Sequence, residues 1–179
     1  AASAAYDRLL PLAPPGESGQ VRYRLGSTCE FYDPELLELI QHPFFEEVAK
    51  QVLRAKTVYF YLAAMAMTHP QPDAVWSYDQ HTDIQYCLSD LDAVPKRMIC
   101  SLFVWISDVN EKRAPMVFRP GSHRLIAAER EKDPELKGVT PQVVGTKMDR
   151  LPDLPYADPV PIVARAGQVS VLTTGMIHG

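Results

Sequence analysis

The order of helix-like and strand-like segments limits the fold of this chain more than any other feature. Asp33 as N-cap and Pro34 as first helical residue predict a helix that runs to about Gln41. A second helix is predicted over Phe44–Arg54, where apolar residues recur at helical spacing. Its buried face is expected at Phe45, Val48 and Val52.

Short strand-like runs follow the helices, and one precedes them. The predicted strands are Val21–Leu25 at a sheet edge, Val58–Met67 at a sheet centre, Trp76–Cys87, Met98–Ser107, Pro115–Arg119, Pro159–Arg165 and Gln168–Thr173. The last two flank a tight turn at Ala166-Gly167. This order favours an α+β protein whose core is a β-sandwich, a jelly-roll or a double-stranded β-helix.

One long stretch has no clear period. Residues 125–157 are polar and charged, so we expect an insertion or lid, with one helical turn near Asp133-Pro134-Glu135. The length of 179 residues suits a single domain over 1–179. We expect this domain to be incomplete at both ends, because the chain starts without Met and stops within a strand-like context.

Composition excludes several classes of protein. A net charge of −4 argues against a general nucleic-acid binder, since phosphate binding needs a basic face. The longest apolar runs are too short to span a bilayer. Three widely spaced cysteines, Cys29, Cys87 and Cys100, form no Cys-x-x-Cys pair, which disfavours a thiolate zinc site and suits a reducing cytoplasm. We expect a small-molecule partner, and the sequence leaves the oligomeric state open.

His81-Thr82-Asp83 is the strongest candidate for chemistry. On a strand, residues two apart point to the same face, so the imidazole and the carboxylate can reach one metal ion. His178 follows a strand and could supply a third ligand. Two histidines and one carboxylate that leave positions open are typical of non-haem iron(II) oxygenases. The competing interpretation is chance, since one His-x-Asp is expected in roughly every second chain of this size.

Motif order adds what the single motif lacks. After His81-Thr82-Asp83 come an apolar strand ending in Asp108, then Pro120-Gly121-Ser122-His123-Arg124, then Gly167-Gln168 and the distal His178-Gly179. This series resembles the phytanoyl-CoA dioxygenase family, and the resemblance covers about Asp33 to Gly179. Each motif alone is weak, and their common order is specific.

The resemblance implies a double-stranded β-helix with iron(II) held by His81, Asp83 and His178. It also implies 2-oxoglutarate and O2 as co-substrates, with succinate and CO2 released while an aliphatic C–H bond of a small organic or lipid-like substrate is hydroxylated. An intact carboxylate at Asp83 favours hydroxylation, because related halogenases carry a small residue there.

The resemblance also suggests cofactor contacts. Thr68, Tyr78 and Phe103 occupy positions where the family places residues near 2-oxoglutarate, although packing in the core is an equal alternative for each. The family anchors the distal carboxylate of 2-oxoglutarate with an Arg about ten residues past the distal His. We expect that Arg in a segment that follows Gly179.

The remaining motif residues are assigned from their surroundings. Ser122 and His123 are interpreted as a structural turn, with a catalytic role as the lesser alternative. Arg119 and Arg124 are expected to face solvent, or else to bind an anionic substrate. The family often has Asn-Gly where this chain has Arg113-Ala114.

Two other classes of function stay open at this stage. One is a jelly-roll module that binds a ligand without iron and without a working 2-oxoglutarate site. The other is a hydrolase that holds zinc with the same three side chains, since zinc sites also use His and Asp. Motif order favours the oxygenase over both.

Overall fold

The computed structural model describes residues 4–5, 8, 20–26, 33–68, 79–83, 93–95, 97–132 and 146–179. The chain divides into two compact units, Ala1–Val75 and Trp76–Gly179. The described helices and strands make the protein α+β, with small antiparallel sheets. No helix within the described ranges is long and apolar enough to cross a membrane.

The first unit contains an antiparallel pair of strands. Strand β1, Gln20–Gly26, pairs with β2, Leu62–Thr68, in a register that aligns Gln20 with Thr68. The strand predicted over Val21–Leu25 is therefore confirmed. The strand predicted over Val58–Met67 begins four residues later than expected, and the exposed Tyr59 lies before its start.

The first helix, α1, covers Pro34–Ile40 and confirms its prediction. The Asp33 carboxylate accepts hydrogen bonds from the backbone N–H of Glu35 at 3.0 Å and of Leu36 at 3.3 Å. These bonds satisfy donors that have no partner within the helix, which is why the helix begins where the sequence indicates.

The second helix, α2, covers Pro43–Leu53. Its predicted buried face is wrong in part, because Phe45 and Val48 are half-buried and Val52 is exposed. Helical spacing identifies which face of a helix is apolar. It does not state how far along the helix the neighbouring core extends, and here no residue of α2 is fully buried.

The described residues of the second unit form three antiparallel strand pairs. They are β3 (His81–Thr82) with β6 (Thr146–Lys147), β4 (Cys100–Val104) with β8 (Val169–Thr173), and β5 (Val117–Phe118) with β7 (Val160–Pro161). The strands predicted at 98–107, 115–119, 159–165 and 168–173 are therefore present in shorter form. The turn at Ala166-Gly167 is also present, with Gly167 at φ +87°, yet β7 and β8 pair with different partners.

The predicted insertion over 125–157 contains more regular structure than expected. Helix α3 covers Ser122–Lys132, and β6 is followed by a 3-10 turn, Met148–Arg150. The helix has many strong helix formers (Ala, Leu, Glu, Arg and Lys), so intrinsic propensity favours it where a hydrophobic period is weak. The turn predicted near 133–135 lies outside the described residues, as do 76–78 and 84–87 of the strand predicted over Trp76–Cys87.

The core of the second unit collects side chains from separate segments. Its described buried apolar residues are Val117, Ile126, Ala164, Leu172 and Ile177. Ile177 is fully buried, and His178 beside it is 5% exposed. The apolar core therefore reaches directly to the side chain that the sequence proposes as the third metal ligand.

Candidate metal centre

Main-chain pairing brings the two candidate histidines together. The His81 N–H donates to the His178 carbonyl at 2.8 Å, and the His178 N–H donates back to the His81 carbonyl at 2.9 Å. His178 also forms a bridge with Phe118, so its backbone lies between β3 and β5. Residues 97 positions apart in sequence thus become direct neighbours.

Asp83 is placed by a further main-chain bond. Its N–H donates to the Thr174 carbonyl at 3.0 Å, in the turn that leads from β8 to His178. Thr82 between the two candidate ligands is buried, whereas His81 and Asp83 are half-buried. This alternation agrees with the strand geometry that puts His81 and Asp83 on one face.

The three side chains converge on one point. His81 Nε2 lies 3.6 Å from Asp83 Oδ1, and His178 Nε2 lies 3.4 Å from Asp83 Oδ2. One ligand atom from each residue lies within 4.8 Å of the other two. Of the residues that the structure describes, these three form the cluster of His, Cys, Asp and Glu that could hold a metal ion.

Backbone carbonyls fix which nitrogen each imidazole presents. His81 Nδ1 is 2.6 Å from the Asp79 carbonyl, and His178 Nδ1 is 2.9 Å from the Met176 carbonyl. A carbonyl can only accept, so each Nδ1 carries the hydrogen and donates it. Each neutral ring would then present its Nε2 lone pair toward the Asp83 carboxylate, a repulsion that a proton on Nε2 or a metal ion bound between the three side chains relieves.

The charges of the site follow from the same contacts. Burial by itself would raise the pKa of the Asp83 carboxyl, yet hydrogen bonds with His178 and His81 outweigh it and hold that pKa well below its usual range. The Asp83 carboxylate raises the pKa of His81 against the opposing effect of burial. Asp83 is therefore an anion at neutral pH, as a metal ligand must be.

The donor set fits a first-row divalent metal ion. Metal–nitrogen and metal–oxygen bonds of about 2.1 Å put neighbouring ligand atoms about 3 Å apart in an octahedron. The observed separations of 3.4 and 3.6 Å are close to that value. Two imidazoles and one carboxylate on one side of the ion would leave the other positions free for small molecules.

Comparison with known families agrees with this geometry. The family described as Phytanoyl-CoA dioxygenase (PhyH) matches residues 17–179. This chain belongs to the phytanoyl-CoA dioxygenase family. Members of the family are in general iron(II)- and 2-oxoglutarate-dependent oxygenases. No curated protein and no solved structure matches the chain.

The cofactor contacts expected from the family resemblance are placed only in part. The ring of Phe103, on β4, lies 6.4 Å from the His178 ring between centroids, in an edge-on arrangement. Thr68 ends β2 in the first unit, and Tyr78 lies outside the described residues. Among the described residues of the second unit, Phe103 is therefore the member of this set whose ring packs beside a candidate ligand.

The Pro-Gly-Ser-His-Arg motif of the family lies at the junction of β5 and α3. Gly121 has a φ of +75°, a conformation that glycine adopts without strain and that lets the chain turn from strand to helix. Ser122 is fully buried and accepts a hydrogen bond from the Ile177 N–H at 2.9 Å. The hydrogen bond with Ile177 therefore supports the interpretation of Ser122 as a structural residue.

The two arginines differ in their surroundings. Arg124 is exposed as expected. The expectation for Arg119 is wrong in part, because its guanidinium is half-buried and donates to Gln80 Oε1 at 2.6 Å and to the Ala157 carbonyl at 2.9 Å. A polar residue at the end of a strand often faces solvent, but here the Ala157 carbonyl accepts a hydrogen bond from the guanidinium.

One cavity in the second unit is lined by none of the three candidate ligands. It has a volume of about 390 Å³. Its position therefore does not identify it as the substrate site of the metal centre. The cavity is lined by Arg119, Met148, Asp149, Leu151, Pro152, Asp153, Leu154, Pro155 and Tyr156.

Sequence reasoning missed the groups that orient the ligands. The carbonyls of Asp79 and Met176 set the hydrogen position on each imidazole, yet a backbone carbonyl leaves no trace in residue type. Both carbonyls belong to the residue two positions before the histidine. That spacing is the one signal through which these contacts could have been anticipated.

Proposed function

We propose that this chain is an iron(II)- and 2-oxoglutarate-dependent dioxygenase that hydroxylates an aliphatic C–H bond of a small organic or lipid-like substrate. His81, Asp83 and His178 would hold the iron. Bound iron would supply oxidative decarboxylation of 2-oxoglutarate to succinate and CO2, with O2 as oxidant. The chain's own residues would bind and orient the substrate and 2-oxoglutarate and would exclude water from the site.

One observation carries the proposal. Both Nε2 atoms face the two oxygens of one carboxylate at 3.6 and 3.4 Å, while each Nδ1–H is held by a carbonyl. This is the arrangement of a metal site whose histidines are oriented by partners behind them.

The full fold belongs to the proposal as well. Family membership supports a cupin-like double-stranded β-helix core, in which facing sheets bring ligands from distant strands to one point. The pairs β3–β6, β5–β7 and β4–β8 are short segments that such a core would contain. Closure of the barrel through the remaining residues is part of the proposal.

Residues near 2-oxoglutarate are proposed from the family resemblance. The edge-on arrangement of the Phe103 and His178 rings supports Phe103, which would form an aromatic wall beside the iron. Thr68 and Tyr78 are proposed on family position alone. A small-molecule substrate and a cytoplasmic location complete the proposal, and Cys100 in the second unit is a free thiol as a reducing compartment would allow.

The direct test measures 2-oxoglutarate turnover. The full-length protein is loaded with iron(II) under anaerobic conditions, then exposed to O2 and 2-oxoglutarate, and succinate is quantified. Iron-dependent succinate formation is expected even without substrate, through slow uncoupled turnover. Candidate substrates are then ranked by how much they accelerate succinate release.

Measurements on the same protein distinguish the oxygenase from a non-catalytic module and from a zinc hydrolase. A full-length chain that binds iron but forms no succinate with any of a panel of aliphatic acids and thioesters would point to a module without catalysis. Zinc that stays bound after anaerobic iron loading, together with hydrolysis of ester substrates, would point to a hydrolase. Either outcome would reject the oxygenase.

A further inference from the structure

The turn between β8 and His178 accepts hydrogen bonds from two of the three candidate ligands. We call residues Thr174–Ile177 the ligand turn. The carbonyl of Thr174 accepts from the Asp83 N–H at 3.0 Å, and the carbonyl of Met176 accepts from His178 Nδ1 at 2.9 Å. A shift of the ligand turn would therefore move Asp83 and rotate the His178 ring together.

Ile177 connects the ligand turn to the β5–α3 junction through both of its backbone groups. Its N–H donates to Ser122 Oγ at 2.9 Å, and its carbonyl accepts from the Arg119 N–H at 2.9 Å. Ser122 and Ile177 are each 0% exposed. Water therefore does not reach this bond, and no solvent molecule can replace Ser122 Oγ as the acceptor.

The Ser122 side chain is hydrogen-bonded outside its own helix. A capping residue such as Asp33, which precedes α1, accepts N–H groups of the first helical turn. Ser122 is the first residue within α3 and accepts instead from a residue 55 positions later. Its hydroxyl thus serves the ligand turn, and removal of the hydroxyl would leave a buried N–H without a partner.

We propose that Ser122 is a positioning residue of the metal centre, which fixes the ligand turn through Ile177 and thereby sets the geometry of Asp83 and His178. The inference rests on the proposed function, because it assumes that these side chains bind the metal ion. Groups behind metal ligands typically change metal affinity about ten- to a hundredfold when they are removed.

The test compares metal binding in two full-length variants. Ser122→Ala removes the acceptor with little change in side-chain volume. Asp108→Ala is the matched control, because Asp108 Oδ1 accepts from the Ala166 N–H at 2.8 Å across 58 positions, at the opposite end of β8. Affinity for Co(II) is measured by calorimetry, coordination geometry by the visible Co(II) spectrum, and folding by thermal unfolding.

Ser122→Ala is expected to bind Co(II) about ten- to a hundredfold more weakly with an altered spectrum, and to lower kcat more than it raises KM for 2-oxoglutarate. Asp108→Ala is expected to keep the affinity and spectrum of the natural chain. If Ser122→Ala does not fold, Ser122→Cys, a weaker acceptor of similar size, should show an intermediate loss.

Three results would overturn the inference. The first is natural affinity and spectrum in the folded Ser122→Ala variant, or in Ser122→Cys when that variant replaces it. The second is an equal loss in Asp108→Ala, which would mean a general effect on stability. The third is a natural chain that binds no metal ion, which would reject the proposed function as well. If the natural chain forms succinate and the metal affinity of Ser122→Ala is unchanged, only the positioning role is rejected.

Discussion

His81 and His178 exchange both of their main-chain hydrogen bonds, at 2.8 and 2.9 Å, and their rings lie 4.7 Å apart between centroids. The pairing means that the distance between the two imidazoles is set by a strand ladder and not by side-chain flexibility. A rigid backbone frame is what a metal site with open positions needs, because its ligands cannot rely on a complete shell to hold them.

Replacement of Asp83 should abolish metal-dependent turnover. In Asp83→Ala both Nε2 atoms lose the anion that they face, so Fe(II) affinity and succinate formation should fall more than about a hundredfold, beyond the usual effect of losing an outer-shell group. Circular dichroism should still show a cooperative fold. The control is Asp158→Ala, which removes an exposed carboxylate from the same unit; full activity in Asp83→Ala would refute the ligand assignment.

Gly179 should tolerate no side chain. A Cβ at this position would lie 3.0 Å from the Asp79 carbonyl carbon and oxygen and 3.1 Å from Gln80 Cα, all of them backbone atoms. Because backbone cannot move aside as a side chain can, Gly179→Ala should lower the free energy of unfolding by about 1–3 kcal/mol. Urea unfolding measures the effect.

Gly175→Ala provides the comparison for that experiment. A Cβ at Gly175 would meet only His123 Cβ, at 3.9 Å, which is ordinary van der Waals contact. Its free energy of unfolding should stay within about 0.5 kcal/mol of the natural value. Equal losses at the two glycines would contradict the close approach of residues 79–80 to Gly179.

Two valines should differ according to their burial. Val117 is 2% exposed and Val163 is 59% exposed. Val117→Ala removes buried methyl groups and leaves a cavity, so it should cost about 2 kcal/mol of unfolding free energy. Val163→Ala should cost less than about 0.5 kcal/mol. Similar losses in chemical denaturation would mean that the core does not include Val117.

His123 should contribute a dependence of stability on pH. Burial, and to a lesser extent the Arg124 charge, lower its pKa from the ordinary value of 6.5, and its Nδ1 is buried without a hydrogen-bond partner among the described residues. The unfolded chain therefore binds the proton more readily than the folded chain. This contribution is present above pH 6.5 and is lost as the pH falls from there toward the folded-state pKa.

The matched measurement uses His123→Gln, which cannot titrate. Thermal unfolding of both proteins is followed between about pH 5 and 8, around the ordinary pKa of histidine. The natural chain should lose more stability than His123→Gln on acidification, and the difference isolates this group from the other histidines. Identical pH profiles would show that His123 is not buried in its neutral form.

Local features were predictable because they depend on neighbours in sequence. The start of α1 follows from Asp33 and Pro34, whose effects act within one helical turn. The common face of His81 and Asp83 follows from strand geometry alone. The regular helix α3 was missed, because its amphipathic period is weak and its stability depends on residue propensity and contacts.

By itself, the sequence determined the three candidate ligands, the common face of His81 and Asp83, and the family. Only the tertiary structure decided how His178 reaches them, since its backbone pairs with His81 of β3 and with Phe118 of β5 across 97 and 60 positions of chain. It also decided that Ser122 serves Ile177 and not its own helix. Spacing fixes what lies within a few residues, whereas contacts between distant segments arise from the packing of the whole unit.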